Sequence, residues 1–368
     1  MARVPHPSDY LHARFLKNSG LTKYGEVVAP RQRVGVAICG LGRAGSIHLS
    51  NIMRTPRFEL LYLADTNKER TEQLVQLYCL TGTVTVITDG DLTAAFSDDR
   101  LHAVIISTPT PQHEELVCGA LRAGKHVLCE KPIATSIQLI RGCYTLAKQS
   151  DRILLCAFNR RYDPTIVSLV EAVRGGAVGQ VQCVSSVSRD SVRPPIDYLR
   201  TSGGIFHDCI VHDIDIICHI VGEFPTKVVA AVHAFSEDIA AINDHDTVVV
   251  TMKFPSGVLA HIDVSRQAVY GYDQRVEVHG SKGLLRSENQ RPQALLSCTE
   301  DASSLVPIMH TFTSRYSEAY IRQTDHFLDL IDGSEEQVIT VETVVNVTKV
   351  INALEESVRT EGFVTVSY

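Results

Sequence analysis

The residues with the clearest chemical potential lie in a glycine-rich segment, Gly40-Leu41-Gly42-Arg43-Ala44-Gly45, which follows an apolar run. Gly40 permits the tight turn out of a strand, and Gly42 lets backbone approach a pyrophosphate closely. Gly45 lets the following helix pack against that strand. Because the free N–H groups at a helix N-terminus attract phosphate, the segment predicts a dinucleotide-binding turn.

Asp65 comes directly after the next apolar run, residues 58–64, and twenty positions after the last glycine of the turn. A carboxylate there accepts hydrogen bonds from the adenosine ribose hydroxyls and repels a 2′-phosphate, which favours NAD over NADP. Arg43 and Lys68 are nearby cations, so the sequence leaves NADP open. Taken alone, Asp65 could also be an ordinary strand-end or helix-capping residue.

Two further polar segments follow predicted strands of the same half of the chain. Ser107-Thr108-Pro109-Thr110-Pro111-Gln112-His113 can contact ribose or nicotinamide, although turn chemistry with a helix cap explains the same residues. Lys131 lies in the second segment, Cys129-Glu130-Lys131-Pro132. Its ammonium group could hydrogen-bond a substrate hydroxyl and assist its deprotonation. Alone, a lysine before proline is more often a solvated loop cation.

Asp208 and His212 are four residues apart, so on a helix they share one face. Asp215 and His219 extend the same face. A histidine held by a carboxylate can take a proton at neutral pH, which predicts an acid–base pair. A metal site is a weaker interpretation because the segment has no cysteine partner and no His-Glu-x-x-His motif. A third interpretation also stays open, in which these side chains form a buried row whose polar atoms are hydrogen-bonded and have no catalytic role.

The elements that position these residues follow from the hydrophobic pattern. Up to about residue 158, apolar runs alternate with helical patterns, which predicts a parallel sheet covered on both faces. The predicted strands are 33–39, 58–64, 83–87, 103–107, 126–129 and 153–157, and the predicted helices are 44–54, 67–79, 112–123 and 136–149.

The pattern changes in the second half of the chain. Grouped alternating or β-branched runs predict a large, mostly antiparallel open sheet, so the fold class is α/β in both halves. The predicted strands here are 178–189, 227–235, 246–254, 257–266 and 274–279, and the predicted helices are 163–174, 209–221, 317–332 and 341–358.

Composition limits the class of protein. The 368 residues suit two domains, and the net charge of −7 is spread along the chain, which argues against a nucleic-acid or membrane partner. No apolar run approaches the roughly 20 residues of a membrane span. Ten cysteines without a C-x-x-C pair favour free thiols in a reducing compartment, the cytoplasm.

Taken together, these residues resemble the Gfo/Idh/MocA oxidoreductase family, and within it the inositol 2-dehydrogenase branch. The matching pieces run in order through residues 33–360. They are Gly40-Leu41-Gly42-Arg43-Ala44-Gly45, Asp65, Ser107-Thr108-Pro109, Glu130-Lys131-Pro132, Asn159-Arg160-Arg161-Tyr162-Asp163, Gly203-Gly204, Asp208, His212, Asp215 and Tyr270-Gly271-Tyr272-Asp273.

The resemblance implies an N-terminal Rossmann domain, a doubly wound parallel sheet that binds NAD, over residues 33–158. It implies an α/β domain for substrate binding and oligomerisation over 159–368, whose sheet forms a homo-oligomer, a dimer or tetramer. Residues 1–32 form an N-terminal extension without a counterpart. The implied cofactor contacts are Gly40, Gly42, Arg43, Ala44, Gly45, Asp65, Ser107, Thr108, Pro109, His113, Glu130, Lys131 and Arg161.

The resemblance also implies a catalytic set. His212 takes the hydroxyl proton, Lys131 binds and polarises that hydroxyl, and Asp208 orients the group. The implied substrate contacts are Lys131, Asp190, Asp208, His212 and Tyr272.

The expected function is NAD-dependent oxidation of one secondary hydroxyl of a small polyol, a cyclitol such as myo- or scyllo-inositol. Alternatives are a dehydrogenase of an aldose, a uronate or a trans-dihydrodiol, a glycosidase that retains NAD, and a non-catalytic NAD-binding sensor. His207 stands where an apolar residue is more usual, and Ser191-Val192-Arg193 alters a pocket loop. These departures leave the substrate open.

Overall fold

A computed structural model describes residues 33–368 of the chain. The expected N-terminal extension, residues 1–32, lies outside the described residues. The described chain forms two compact units. The first comprises residues 33–135, Gly142–Ala157 and Gln323–Gln337, and the second comprises Ser136–Arg141, Phe158–Arg322 and Val338–Tyr368.

Six parallel strands form the sheet of the first unit, in the order β3-β2-β1-β4-β5-β6. The chain builds outwards from β1 in one direction and then from β4 in the other, which is the order of a doubly wound dinucleotide-binding sheet. The predicted parallel sheet is confirmed. Its strands are β1 (Val34–Cys39), β2 (Phe58–Ala64), β3 (Thr85–Ile87), β4 (Leu101–Ile106), β5 (His126–Cys129) and β6 (Leu154–Cys156).

The central strands are uniformly apolar because helices cover both faces of a parallel sheet. Every residue of β1 is buried, and β4 is buried except at His102. The helices that follow the strands are α1 (Arg43–Met53), α2 (Lys68–Leu77), α3 (His113–Arg122) and α4 (Ile137–Gln149). Shorter helical turns occupy Thr93–Phe96 and Thr110–Gln112.

The second unit contains a seven-stranded sheet in the order β12-β11-β7-β10-β9-β8-β15. All neighbouring pairs are antiparallel except β7 and β10, so the expected mostly antiparallel sheet is confirmed with one parallel pair. Its strands are β7 (Val181–Arg189), β8 (Lys227–His233), β9 (Thr247–Lys253), β10 (Leu259–Ser265), β11 (Asp273–Gly280), β12 (Gly283–Ser287) and β15 (Val364–Thr365). A separate hairpin pairs β13 (Leu296–Cys298) with β14 (Ser303–Leu305).

Alternating burial marks this sheet as covered on one face. From Val248 onwards, the residues of β9 alternate between buried and exposed, as expected for a half-covered sheet. The longer helices after residue 158 are α5 (Pro164–Arg174), α6 (Val211–Val221), α7 (Ser317–Ile331) and α8 (Val341–Thr360). Shorter helical turns occupy Asn159–Tyr162, Ile196–Leu199, Phe206–Ile210, Glu237–Ala240 and Phe312–Arg315.

Within residues 33–368, every helix is too short or too polar to span a membrane.

Candidate active site

The glycine turn between β1 and α1 packs tightly against protein atoms at two of its glycines and faces free space at the third. Gly40 has a φ of +86°, and a Cβ added there would lie 2.5 Å from the backbone nitrogen of Thr108. A Cβ at Gly45 would lie 1.9 Å from the carbonyl oxygen of Gly40. At Gly42, in contrast, an added Cβ would meet no protein atom within 4 Å. The turn therefore packs against its own protein at Gly40 and Gly45 and leaves a cradle at Gly42 that fits a pyrophosphate.

The carboxylate of Asp65 is held beside this turn by backbone groups. Its Oδ2 accepts a hydrogen bond from the Leu41 N–H at 2.6 Å, and its Oδ1 accepts one from the Asn67 N–H at 2.8 Å. Each carboxylate oxygen has a second lone pair that can accept from a ribose hydroxyl. Arg43 and Ala44 form the first turn of α1, where Arg43 is exposed.

The segment after β4 is tied to the glycine turn. The Ser107 hydroxyl donates to the Gly40 carbonyl oxygen at 2.8 Å, and the Ser107 N–H donates to the Cys39 carbonyl oxygen at 2.8 Å. The neighbouring Thr108 Oγ1 is buried and has no hydrogen-bond partner within residues 33–368. Buried polar atoms normally have a partner, so this hydroxyl is suited to contact a bound molecule beside Pro109.

His113 joins two of the predicted site segments. The ring is buried, with Nδ1 2.7 Å from the Pro132 carbonyl oxygen and Nε2 2.8 Å from the Thr108 carbonyl oxygen. The imidazole thus bridges the loop after β4 and the loop after β5. Both ring nitrogens face protein groups, and the expected cofactor contact of His113 stays a prediction.

Glu130 and Lys131 lie at the carboxyl end of β5. Glu130 Oε1 is 3.0 Å from Nε2 of the buried His48, which anchors this loop to α1. Lys131 is partly buried and follows immediately. Because β1, β4 and β5 are parallel, the glycine turn, the Ser107 segment and Lys131 all lie at one edge of the sheet, where doubly wound folds bind their ligands.

In the second unit, Asp208 and His212 lie in one continuous helical segment. Asp208 belongs to a π-helical turn, Phe206–Ile210, which runs directly into α6, where His212 is the second residue. The helix was predicted, but the π-helical turn was not. Such turns are frequent at functional sites, where they locally change the direction of side chains.

The Asp208 carboxylate has a fixed partner on each oxygen. Arg266 Nη1 donates to Oδ2 at 3.0 Å, and the Tyr198 hydroxyl donates to Oδ1 at 3.0 Å. Arg266 and Tyr198 were not predicted as site residues from the sequence. The available signal for Arg266 was a charged residue directly after the alternating strand β10, and Tyr198 carried no comparable signal.

Asp215 is paired with Arg161 rather than with a residue of the predicted acid–base stripe. Arg161 donates from Nη2 to Oδ1 at 2.6 Å and from Nε to Oδ2 at 2.9 Å. Burial raises the pKa of Asp215, and the charge of Arg161 works against that rise. The Arg161 guanidinium also donates to the Val338 carbonyl oxygen at 3.2 Å. The cofactor contact expected of Arg161 remains a prediction.

Asp190 and Tyr272, the other expected substrate contacts, lie beside β7 and β11. The Asp190 N–H donates to the Ser265 carbonyl oxygen at 2.9 Å directly after β7. Tyr272 is buried and meets Tyr316 edge to face, with ring centroids 6.2 Å apart. Burial raises the pKa of Tyr272 well above its ordinary value. Both assignments stay predictions.

A buried polar network runs under this region. Asp213 Oδ1 accepts from the hydroxyls of Ser186 and Ser188, both at 2.6 Å, and from Arg160 Nη1 at 3.1 Å. Ser188 also lies 3.0 Å from Gln274 Oε1. These side chains line a cavity of about 10 Å³. Among residues 33–368, no group of three or more His, Cys, Asp and Glu side chains is arranged to hold a metal ion.

The two units carry different groups of the predicted site residues. The first has a dinucleotide cradle with a lysine at the same sheet edge, and the second has a fixed carboxylate directly before a helix that bears a histidine.

Two family models match the chain. Residues 34–158 match an oxidoreductase family with an NAD-binding Rossmann fold, and residues 166–286 match the GFO/IDH/MocA C-terminal domain. The match of the first model confirms NAD as the cofactor.

Known relatives agree with these matches. Inositol 2-dehydrogenase of Rhizobium meliloti (strain 1021) is 36% identical over 305 residues, which cover 82% of this chain and 90% of that protein. Myo-inositol 2-dehydrogenase of Thermotoga maritima is 34% identical over 308 residues, covering 83% of this chain and 91% of that protein. The structure of scyllo-inositol dehydrogenase from Lactobacillus casei, with bound NAD(H) and scyllo-inositol, is similar with a TM-score of 0.83 and 25% identity, covering 92% of this chain and 100% of that chain.

Proposed function

Because the chain belongs to the Gfo/Idh/MocA oxidoreductase family and is an NAD-dependent dehydrogenase, we propose that it oxidises one secondary hydroxyl of a cyclitol, myo- or scyllo-inositol, to the ketone. The observation that carries the proposal is the Asp208 carboxylate, which Arg266 and Tyr198 fix directly before the helix that bears His212. The names of the relatives support the choice of a cyclitol.

We propose that Lys131, Asp208 and His212 act on the same hydroxyl. The Lys131 ammonium group donates a hydrogen bond to the hydroxyl oxygen and stabilises the negative charge that develops there. The imidazole of His212 takes the hydroxyl proton. Asp208 accepts a hydrogen bond from the reacting group or from a neighbouring hydroxyl and so fixes the orientation of the ring.

The remaining step moves two electrons. NAD, when bound, supplies the acceptor for the hydride that leaves the carbon of the reacting C–H bond. The residues of the first unit hold the dinucleotide for this step. Gly42 leaves room for the pyrophosphate, Asp65 accepts from the ribose hydroxyls, and Thr108 offers a buried hydroxyl without a protein partner within residues 33–368.

The test is NADH formation by the purified protein with myo-inositol, scyllo-inositol, D-glucose, D-xylose or a uronate. Turnover on an inositol is expected, and His212→Ala and Lys131→Ala should each reduce it by about 10²–10⁴-fold. Turnover on an aldose or a uronate alone would overturn the cyclitol substrate. Bound NAD without turnover on any of the five would support the sensor alternative, and full activity of either variant would remove that residue from the mechanism.

We also propose that residues 159–368 form the substrate-binding domain and that a second copy of the chain covers the open face of its sheet. Val249 of β9 and Leu259 of β10 are 50% and 49% exposed on this sheet, and covering these apolar side chains by a second copy would be favourable. Sedimentation should show a dimer or tetramer, and Leu259→Glu should favour the monomer. A monomeric wild-type protein would overturn this proposal.

The ten cysteines are free thiols, and most of them are buried. This supports the proposal that the protein works in a reducing compartment, the cytoplasm.

A further inference from the structure

We infer that Arg266 is a positioning residue for the reaction, which works with Asp244 to hold the Asp208 carboxylate in one orientation. The inference rests on the proposed function, in which Asp208 orients the substrate. It assigns a role to two residues that do not belong to the expected catalytic set.

The contacts of Arg266 are specific. Its side chain is 0% exposed, and Nη1 donates to Asp208 Oδ2 at 3.0 Å while Nη2 donates to Asp244 Oδ2 at 3.2 Å. The planar fork of arginine can serve two carboxylates from neighbouring nitrogens, which the single ammonium group of lysine cannot do in the same geometry. One buried cation is therefore shared between two carboxylates.

Asp244 extends the support to the backbone of the site. Its Oδ1 accepts from the Ile205 N–H at 3.0 Å, and Ile205 is the residue directly before the π-helical turn that carries Asp208. Asp244 thus holds the start of the turn, and Arg266 connects Asp244 to the carboxylate in the turn. The result is a closed set of contacts that fixes both the backbone and the side chain of Asp208.

The two oxygens of Asp208 have different surroundings. Oδ2 faces the buried guanidinium of Arg266 and lies 4.0 Å from Cys209 Sγ. Oδ1 faces the hydroxyl of Tyr198, whose side chain is partly exposed. Because Arg266 holds the inner oxygen, Oδ1 is the oxygen from which a substrate hydroxyl can be oriented.

The charge of Arg266 matters as well as its shape. Burial disfavours the guanidinium charge, but the surrounding Cys209, Asp208 and Asp244 raise the pKa of Arg266 above its ordinary value. Arg266, Tyr198 and Cys209 are among the groups that face Asp208. Without the guanidinium, the carboxylates of Asp208 and Asp244 would repel each other with no cation between them. Ionisation of Asp208 would therefore become less favourable.

The experiment compares Arg266→Met, Arg266→Lys and Asp244→Asn with the wild-type protein. The matched control is Arg286→Met, which removes an exposed arginine paired with Glu277 and Glu288. We expect Arg266→Met to lower kcat by about 10²-fold, because a displaced catalytic group costs about that much. Arg266→Lys should recover part of the lost kcat, and Asp244→Asn should lower kcat less than Arg266→Met does. Arg286→Met should have the kcat of the wild-type protein.

Two measurements distinguish a misplaced Asp208 carboxylate from a general loss of folded structure. The NAD dissociation constant should be unchanged in all variants, whereas the acidic limb of the pH–rate profile should move to higher pH in Arg266→Met. A folded Arg266→Met protein with wild-type kcat and an unchanged profile would overturn the inference. If Arg266→Met does not fold, the other two variants decide: both should lower kcat, and the acidic limb should move to higher pH in Arg266→Lys and to lower pH in Asp244→Asn.

A further measurement distinguishes a failure of this inference from a failure of the proposed function. In protein labelled with ¹³C at the aspartate carboxyls, the Asp208 signal is assigned by its loss in Asp208→Asn and titrated with pH. The titration midpoint should be higher than in wild type in Arg266→Lys, which weakens the contact with the cation, and lower in Asp244→Asn, which removes a like charge, even if no inositol is turned over. An unchanged midpoint in both variants would overturn the inference, whereas an inactive wild-type protein would overturn only the cyclitol proposal.

Discussion

Tyr198 donates its phenolic hydrogen bond to Oδ1 of Asp208 over 3.0 Å, in the manner expected of a substrate hydroxyl. We predict that Tyr198→Phe lowers kcat/KM for the preferred polyol by about tenfold, because a hydrogen bond to a charged group contributes about 1.5–3 kcal/mol and only part of it is used in the transition state. Steady-state kinetics on the polyol panel provides the measurement.

The chain offers a matched control for this substitution. The Tyr62 hydroxyl donates to Asp98 Oδ2 at 2.8 Å in the first unit, where neither residue belongs to the expected site. Tyr62→Phe should therefore leave kcat/KM unchanged. Equal losses in Tyr62→Phe and Tyr198→Phe would show that the effect of Tyr198 is a general effect on the fold.

Three glycines allow cofactor binding to be separated from stability. A Cβ at Gly42 or at Gly142 meets no protein atom within 4 Å, whereas a Cβ at Gly45 meets the Gly40 carbonyl oxygen at 1.9 Å. We predict that Gly42→Ala leaves the melting temperature near that of wild type but weakens NAD binding, because the methyl group occupies the pyrophosphate cradle. Gly45→Ala should lower the melting temperature as well as the affinity for NAD.

Gly142→Ala is the control, because Gly142 lies inside α4 and outside the cradle. Alanine at a helix interior should stabilise the fold by about 0.5–1 kcal/mol and leave the affinity for NAD unchanged. Thermal melts and NAD titrations of Gly42→Ala, Gly45→Ala and Gly142→Ala test these predictions. Wild-type NAD affinity in Gly42→Ala would show that the cradle does not hold the pyrophosphate.

The first unit was predictable because its strands have a simple signal. Parallel strands buried on both faces are continuous apolar runs, and the run predicted at 33–39 is the strand Val34–Cys39. The hairpin of Leu296–Cys298 and Ser303–Leu305 was not predicted, since strands of three exposed residues have no burial pattern. The short strand Val364–Thr365 was missed for the same reason.

The contacts within the site were harder to predict than the residues themselves. A helical pattern relates residues three or four positions apart, and on that basis the sequence grouped Asp215 with His212. The structure pairs Asp215 with Arg161, 54 positions away, and Asp208 with Arg266, 58 positions away. Such pairs depend on how strands and helices pack, which the spacing of residues in a single sequence does not contain.

His219 should make the fold sensitive to acid. Burial, together with the charges of Arg161 and Arg174, lowers its pKa to about 3, whereas an unperturbed histidine titrates near pH 6.5. Between these two values the unfolded chain binds a proton at His219 that the folded chain does not bind. The free energy of unfolding should therefore be highest above about pH 6.5 and fall as the pH decreases towards 3.

Urea unfolding at pH 7 and pH 5 measures this dependence. His219→Gln should reduce the loss of stability between the two pH values, whereas His279→Gln, at an exposed position of β11, should not. An equal loss in wild type and in His219→Gln would mean that other groups cause the acid sensitivity.

The cavity beside Asp213 should contain one ordered water molecule. Asp213 Oδ2 and Gln274 Nε2 are both buried, and neither has a hydrogen-bond partner within residues 33–368. Both side chains line the cavity of about 10 Å³, which is close to the smallest space that accommodates a water. A water there can donate to the carboxylate of Asp213 and accept from the amide of Gln274, which satisfies both atoms without a change in the packing.

A crystal structure at high resolution should show this water within hydrogen-bond distance of both atoms. Gln274→Met should remove one of its partners and destabilise the fold by about 1–3 kcal/mol in urea unfolding, because the cavity then loses a polar lining group while Asp213 stays buried. The control Gln73→Met, at an exposed position of α2, should have no such effect. A dry cavity with a rotated Gln274 amide that donates to Ser188 would contradict the prediction, since the network would then be closed by protein groups alone.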